Sequence, residues 1–202
     1  MHTKKLTTIF FVFLLTSSAV HAQHAFDFSL TAGTLFSGKV QASYDRKFDP
    51  FLTVDFNIQQ ALMIKSTVDY NLWKYFSIGA ALSYVPITIS DDDFRELGIE
   101  RTNIHMTEID GLIKGRFRVA ENFLLKPYLA LGYRHTFSKL NEAREHGFCL
   151  NGGLETLYYF NQKYFISCDF GFLSQPYGGV IDEVYIRAAP IFFAGIGIGI
   201  SL

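Results

Sequence analysis

The side chains that could support nucleophilic chemistry in this sequence are a histidine and a serine three residues apart. His135 and Ser138 belong to the run RHTFS, and His105 lies in another segment of similar character. A serine hydrolase needs a serine, a histidine and a carboxylate within hydrogen-bond reach of one another. Side chains three residues apart on a β-strand point to opposite faces. The spacing therefore opposes a Ser–His pair, and no catalytic residue is predicted.

Two other groups have the chemistry of metal ligands. The acidic run 91–93 (DDD) is followed by Glu96, and carboxylate oxygens bind divalent cations, but the spacing is not that of a calcium loop. A solvated loop is the favoured interpretation. The histidines beyond residue 22 are His24, His105, His135 and His146. Their spacing is not that of a zinc site, so we expect no metal and no cofactor.

Composition limits the class of protein. The chain has 202 residues, of which 49% are hydrophobic, 16% aromatic and 18% charged. Charged residues make up about 25% of an ordinary soluble domain, so this chain is poor in charge. Beyond the N-terminus there is no run of about 18 apolar residues, which opposes a helical membrane protein. The chain carries 18 basic and 19 acidic residues, and this balance opposes nucleic-acid binding.

The first 22 residues have the pattern of a secretory signal peptide. Lys4 and Lys5 precede a short apolar stretch, 9–15 (IFFVFLL), which is too short to span a bilayer. Val20 and Ala22 then occupy the −3 and −1 positions of a cleavage site. We predict a signal peptide over 1–22 and a mature domain over 23–202.

The mature chain alternates apolar and polar residues with a period of two, which indicates β-strands. The alternating segments lie near 26–33, 62–72, 76–86, 108–118, 125–134, 148–158, 164–172 and 185–202. Short polar turns near 73–74, 120–122 and 161–163 separate them on one side. Long connections at 36–60, 90–103, 138–146 and 174–184 separate them on the other. This alternation of turn lengths is typical of a transmembrane barrel.

The number of strands depends on the first long connection. Residues 40–44 (VQASY) and 51–56 (FLTVDF) themselves resemble strands. They either extend the first hairpin beyond the membrane, which gives eight barrel strands, or add a pair, which gives ten. We predict eight. A soluble, secreted β-sandwich or lipocalin-like barrel is the alternative class.

The positions of aromatic and charged residues favour the membrane barrel. Two aromatic belts are predicted, one by the short turns and one at the opposite strand ends. The first would contain Phe26, Phe28, Trp73, Tyr75, Phe76, Phe123, Tyr158, Tyr159, Phe160, Tyr164 and Phe165, and the second Tyr84, Tyr133, Phe137, Phe148 and Tyr185. The polar face would then line the lumen. Its charges would be Asp27, Lys65, Asp69, Glu108, Asp110, Lys114, Arg116, Arg118, Lys126, Arg134, Glu155, Asp169 and Arg187. Because unpaired charges in a narrow lumen are costly, we predict a salt-bridged plug and no wide pore.

These features resemble a known family. The signal-peptide pattern, the phrase 71–84 (NLWKYFSIGAALSY), its echo 121–135 (ENFLLKPYLALGYRH) and the alternating C-terminal strand are similar to small outer-membrane β-barrel proteins of the OmpA/OmpX type. The resemblance implies an all-β, antiparallel up-and-down barrel in the outer membrane of a Gram-negative-type bacterium. It also implies that the barrel-assembly machinery recognises the last strand. Here that strand ends in Leu202 rather than in an aromatic residue.

Several functions remain open. The first is a structural, adhesive or surface-interaction role expressed through extracellular loops, with a filled lumen. The second is a porin-like narrow channel or transporter for small or apolar solutes. The third is a lipid-A-modifying hydrolase or acyltransferase, but the His-x-Ser-Asn pattern of the deacylases is absent, so we expect no enzyme. The expected partners are outer-membrane lipid and lipopolysaccharide, the assembly machinery, and an extracellular ligand or host surface; we expect a monomer.

The alternating end of the chain and the two cysteines each give a further expectation. Gly195, Gly197 and Gly199 would face the lumen and make room for side chains such as Lys114, Arg116 and Lys126. Cys149 and Cys168 would lie on opposite faces of adjacent strands, which predicts free thiols.

Overall fold

The computed structural model describes residues 25–36, 39–46, 49–57, 61–89, 102–138, 144–174, 184–188 and 191–202. Twelve strands lie within these ranges. They are β1 (Phe26–Phe36), β2 (Lys39–Arg46), β3 (Asp49–Asn57), β4 (Ala61–Trp73), β5 (Phe76–Ile89), β6 (Thr102–Gly115), β7 (Phe117–Ala120), β8 (Phe123–Ser138), β9 (Arg144–Tyr159), β10 (Tyr164–Leu173), β11 (Val184–Ala188) and β12 (Ile191–Ser201). Among the described residues, no helix has the length and apolar character needed to cross a membrane.

Eight of these strands form a closed antiparallel barrel. Neighbours follow the order β6, β5, β4, β1, β12, β10, β9, β8, and pairing of β6 with β8 completes the ring. The first strand pairs directly with the last, from Asp27 opposite Ser201 to Phe36 opposite Phe192. Closure satisfies the backbone groups of the barrel strands internally, as a hydrocarbon environment requires. The prediction of an all-β, eight-stranded up-and-down barrel is confirmed.

The register defines the tilt of the strands. A row of paired residues that starts at His146 passes through His135, Thr107, Tyr84 and the remaining strands. It returns to β9 opposite Cys168, at Thr156, ten residues nearer the short turns. A stagger of this size in eight strands corresponds to a tilt of about 40°. Each residue therefore advances about 2.5 Å along the barrel axis.

The turns identify the two ends of the barrel. Residues 74–75, 121–122 and 160–163 connect strands at one end, which we call the turn end. The backbones of Phe26 and Leu202 exchange hydrogen bonds of 3.0 and 2.8 Å there, so both described chain ends lie at the turn end. The opposite end, which carries the long connections, is called the loop end.

The first long connection does not add strands to the barrel. Strands β2 and β3 form a hairpin and, with β11, a separate three-stranded sheet. This decides the number of barrel strands in favour of eight. It also corrects the predicted last strand, which was expected to run unbroken from Tyr185. The segment Val184–Ala188 pairs with β2, and the barrel strand begins at Ile191.

One strand is interrupted near the turn end. β6 ends at Gly115, and after Arg116 the chain continues as β7, which pairs only with β8 in the described structure. All four side chains of β7 are exposed. Arg118 was predicted to face the lumen, and this was wrong: it has inward parity, opposite Leu124, but it is exposed, because β5 begins opposite Gly115 and β7 extends beyond the closed part of the barrel.

Candidate functional site

The centre of the lumen contains a chain of ion pairs that crosses it from strand to strand. Lys126 lies 3.1 Å from Asp27 and 2.6 Å from Asp69, measured between ammonium nitrogen and carboxylate oxygen. Lys114 lies 3.0 Å from the same oxygen of Asp69 and 2.7 Å from Glu155. The five residues come from β1, β4, β6, β8 and β9 and are nearly inaccessible to solvent. Each lysine is shared between two carboxylates, which is the geometry that can offset the desolvation of buried charge.

A second group extends this layer towards β10. Lys65 pairs with Asp169 at 2.8 Å, and the hydroxyl of Tyr128 donates to the other oxygen of Asp169 at 3.0 Å. The ammonium group of Lys65 also lies 4.7 Å from the centre of the Tyr128 ring. A second cation, that of Lys114, lies 5.7 Å from the centre of the same ring. A cation near an aromatic face is stabilised by the ring quadrupole.

A carboxylate pair lies on the β6–β8–β9 side of the lumen. Asn151 donates from its amide nitrogen to Glu108 and, at 3.0 Å, to Asp110. Arg134 donates from Nε to Glu108 at 2.6 Å and from a terminal nitrogen to the carbonyl of Ser174 at 2.8 Å. One arginine and one amide thus compensate two carboxylates.

The prediction of a salt-bridged interior is confirmed, but the balance of positive and negative charges in the described lumen differs from the predicted one. The buried cations are Lys65, Lys114, Lys126 and Arg134, and the buried anions are Asp27, Asp69, Glu108, Asp110, Glu155 and Asp169. Among the described side chains, four cations therefore face six anions, whereas near balance was expected. Arg116 is only half-buried, Arg118 is exposed, and the side chain of Arg187 lies outside the described residues.

Apolar layers lie on both sides of the charged layer, and the sequence analysis missed them. At the turn end, Leu124, Leu157 and Phe165 pack together with Tyr159. Towards the loop end a larger buried cluster lines the lumen. It includes Leu35, Met63, Val85, Ile87, Met106, Leu173, Ile191 and Phe193. The sequence does carry a signal for these layers, because alternation between apolar and polar residues stops in them. Runs such as 61–64 (ALMI) and 190–193 (PIFF) are apolar on both faces of the strand.

The glycines of β12 face inward, as predicted, but leave room for different neighbours. A Cβ atom on Gly197 would lie 2.6 Å from the hydroxyl of Thr31 and 2.8 Å from the carbonyl of Leu30. At Gly199 the Phe165 ring occupies that position. The glycines are therefore needed because the side chains and backbone of the adjacent strands occupy the space that a Cβ atom would fill. Lysines from across the barrel do not occupy that space, contrary to the prediction.

The outer surface of the barrel is apolar. Leu, Ile and Phe side chains occupy the outward positions of the strand centres, and most are about half exposed. Exposed aromatics border the turn end, among them Phe26, Phe28, Trp73, Tyr75, Tyr158, Phe160 and Tyr164. Tyr84, Tyr133 and Phe148 are exposed nearer the loop end. Phe165 and Tyr159 were assigned to the outer belt, and this was wrong, because their positions in β10 and β9 have inward parity.

The candidate chemical residues lie apart from this interior. His105, His135 and His146 point outward near the loop end, whereas Glu108 points inward. The side chain of Ser138, the acidic run 91–93, Glu96 and His24 lie outside the described residues. No group of three or more His, Cys, Asp or Glu side chains in the described part of the chain is placed to hold a metal ion.

The two cysteines are free thiols. Cys149 is buried on the lumen face of β9, and Cys168 is half-buried on the outward face of β10. Cys168 lies opposite Thr156, seven residues along the strand from Cys149. Seven residues of strand span about 23 Å, far beyond the reach of a disulfide, so the expectation of free thiols is confirmed.

A closed barrel with a charged, filled interior, an apolar exterior and aromatic belts belongs to the class of outer-membrane β-barrels. This places the protein in the outer membrane and gives it the fold of the small OmpA/OmpX-type barrels. No protein-family model matches the sequence, and no curated protein matches it either.

Comparison with solved structures agrees with this class. The chain is similar to the outer membrane protein OprG from Pseudomonas aeruginosa, with a TM-score of 0.58, 12% identity, and 89% of this chain and 97% of OprG covered. It is similar to Neisserial surface protein A (NspA), with a TM-score of 0.53, 8% identity and coverage of 87% and 97%. The outer membrane protease OmpT from Escherichia coli gives a TM-score of 0.48, 13% identity and coverage of 88% and 97%. At these identities the likeness to OprG and NspA establishes the fold alone.

Proposed function

We propose that the protein is a non-conducting, non-enzymatic outer-membrane barrel with a structural, adhesive or other surface-interaction role exercised at its loop end. The observation that carries this proposal is the layer of shared ion pairs across the lumen. Lys114 and Lys126 connect carboxylates on opposite walls, and apolar clusters lie on either side of them. An interior of eight strands is only wide enough for side chains to fill, so such a layer leaves no continuous aqueous path.

Conductance of single barrels in a planar bilayer tests this proposal. We expect the wild-type protein to give no reproducible current steps. The variant Lys114→Ala/Lys126→Ala removes the two shared ammonium groups and should allow ions to pass. Lys74→Ala/Lys163→Ala, which changes exposed lysines at the turn end, is the matched control and should stay silent. Reproducible steps from the wild type would overturn the proposal whether or not the lumen variant folds.

The apolar layer near the loop end favours a second candidate, a conduit for apolar solutes. Met63, Val85, Met106 and Phe193 line the lumen there as members of one buried apolar cluster. Such a surface suits an apolar solute, but the charged layer below opposes its passage. Transfer of a fluorescent fatty acid into proteoliposomes faster than into protein-free vesicles would favour this candidate. Val85→Glu should then abolish the difference, and Val119→Glu at the exposed turn end should not.

The absence of enzymatic activity is also a proposal. His135 points towards lipid, and the nearby Glu108 points into the lumen, which separates the groups that a hydrolase would bring together. Incubation with lipid A, followed by mass spectrometry of the lipid, should show no change in its acyl chains. A change that His135→Ala abolishes would establish a lipid-modifying enzyme instead.

The proposed partners follow from the two surfaces of the barrel. The outward residues of β12, which include Ile196, Ile198 and Leu202, form an exposed apolar row. We assign to this row lipid contact in the mature barrel and recognition by the assembly machinery before insertion. Lipopolysaccharide is the expected lipid of the outer leaflet, and an extracellular ligand or host surface would meet the loop end. A monomer suffices, because the barrel closes within one chain.

A further inference from the structure

Three histidines form an outward-facing group near the loop end. His105, His135 and His146 lie on β6, β8 and β9, which are consecutive in the barrel. His135 and His146 are direct cross-strand partners. His105 is diagonal to His135, whose partner on β6 is Thr107. We call these three residues the histidine tier.

The three imidazoles lie at nearly one height. Because the register row from His146 falls by ten residues over eight strands, it falls by about 3 Å per strand. His135 therefore lies about 3 Å below His146, and His105, two residues above its row, lies within about 3 Å of both. The tier is parallel to the membrane plane.

This height corresponds to the lipid headgroups. Tyr133 is ten residues from Phe123, which is about 25 Å along the barrel axis at the tilt given above. That distance equals the apolar band of an outer-membrane barrel, about 25 Å tall. The histidine tier begins two residues farther out, about 5 Å beyond the edge of the band. Polar groups there meet headgroups rather than acyl chains.

Two tyrosines orient the tier from below. The hydroxyl of Tyr84 is 2.7 Å from Nδ1 of His105, and the hydroxyl of Tyr133 is 2.8 Å from Nδ1 of His146. When the phenol donates to Nδ1, the imidazole carries its proton on Nε2, which then donates outward. His135 has no hydrogen-bond partner among the described residues, and it lies beside His146. Imidazole nitrogens of three neighbouring strands thus lie on one area of the outer surface.

The spacing of the tier fits a phosphate. His135 is the direct cross-strand partner of His146, with Cβ atoms about 5 Å apart, and the diagonal neighbour of His105, about 7–8 Å away. An anion above His135 therefore lies between the other two imidazoles. The outward residues around the tier, Thr107, Tyr133, Phe137 and Phe148, include no carboxylate in the described part of these strands. We propose that the histidine tier binds the phosphate of an outer-leaflet lipid headgroup, such as that of lipid A. This rests on the lipid contacts proposed above and is independent of lumen conductance.

Binding of purified lipid A to the detergent-solubilised full chain tests the proposal. Affinity is measured for bis-phosphorylated lipid A and for the same lipid after enzymatic removal of its phosphates. We expect the wild type to prefer the phosphorylated lipid at least tenfold. His105→Phe/His135→Phe/His146→Phe keeps aromatic rings at the interface but removes the donors, and should lose this preference.

The control changes phenols at the opposite interface. Tyr158→Phe/Tyr164→Phe removes two exposed hydroxyls at the turn end and should keep the wild-type preference. Heat-dependent gel migration checks that both variants are folded. Equal affinity of the wild type for the two lipids would overturn the proposal, and so would an unchanged preference in the folded histidine variant. Binding of inorganic phosphate alone as tightly as lipid A would refute the lipid assignment. Loss of a dimer, rather than of lipid, in the histidine variant would show that the tier binds a second copy of the chain.

Discussion

At the scale of single residues, Lys126 shows how this barrel accommodates buried charge. Its ammonium group contacts Asp27 and Asp69, and it is buried at the centre of the lumen. Substitution of only one partner in a buried ion pair leaves an uncompensated charge, which costs about 3–5 kcal/mol. The stability of the lumen therefore depends on the pairing of each lysine with carboxylates more than on the number of lysines.

We predict that Lys126→Met lowers the free energy of unfolding by about 3–5 kcal/mol, because Asp27 and Asp69, which are cross-strand partners, would then repel each other in the buried lumen. Urea unfolding of the barrel in detergent, followed by the fluorescence of Trp73, the single tryptophan, measures this loss. Lys74→Met, at an exposed turn, should leave the midpoint unchanged. Equal midpoints for Lys126→Met and the wild type would show that the ion pairs contribute no net stability.

Adjacent positions on β12 should differ sharply in their tolerance of a large side chain. Gly197→Phe places a ring where Thr31 and Ser167 already lie, and overpacking of this kind costs about 1–3 kcal/mol or more. Ile198→Phe extends into lipid from a position that is 67% exposed. We expect the first variant to refold poorly and the second to refold like the wild type. The folded fraction on an unheated detergent gel measures both, and equal fractions would contradict the assignment of the two faces.

At the scale of strands, alternation predicted the fold because lipid outside and polar groups inside impose a period of two on each barrel strand. The incorrect assignments lie where alternation alone does not decide whether a side chain is enclosed in the lumen. Arg118 keeps inward parity, opposite the buried Leu124, but it lies past the last residue of β6 that pairs with β5, and alternation alone does not reveal where the enclosed lumen ends. Phe165 was assigned by closeness to a turn, although the parity of β10 places it inside. The contacts between distant strands, such as Lys126 with Asp27, require a register that no single strand contains.

The apolar layer near the loop end escaped prediction for a different reason. A strand segment that is apolar on both faces, such as 61–64, does not distinguish lumen from lipid. Only the positions of Lys65 and Asp69 farther along β4 fix its parity, and they place Met63 inside. The sequence thus indicated which face was polar near the middle of each strand, but not how far that polarity extended.

Shortening the first long connection should leave the barrel intact. β1 and β4 pair directly up to Leu35 opposite Ala61, so their register does not need the β2–β3 hairpin. We predict that replacing residues 39–57 with a four-residue Gly/Asn turn preserves the heat-dependent gel migration and the unfolding midpoint. Failure of this variant to fold, beside a full-length control refolded in parallel, would show that β2 and β3 belong to the barrel's stable unit.

At the scale of the whole molecule, the distribution of polarity is inverted relative to a soluble protein. The side chains with the lowest exposure include Arg134, Lys114 and Lys126, whereas Leu, Ile and Phe dominate the outer surface. In water, such a surface would aggregate, and the interior would bury a layer of charge that the cores of soluble domains rarely contain. In a bilayer, the exterior is solvated by lipid, and the ring of strands satisfies the backbone.

This inversion predicts opposite outcomes for two substitutions at equally exposed positions. Leu129, at mid-strand on β8, is 61% exposed, and Val119, near the turn end on β7, is 63% exposed. In a soluble protein, Leu129→Arg and Val119→Arg would both be nearly neutral, because each side chain would reach water. In an outer-membrane barrel, arginine near the bilayer midplane costs about 2–4 kcal/mol, and near an interface about 0–1 kcal/mol. We therefore expect Leu129→Arg, but not Val119→Arg, to lower the free energy of unfolding in lipid vesicles. If both variants unfold at the wild-type urea concentration, the exterior of this barrel does not face hydrocarbon.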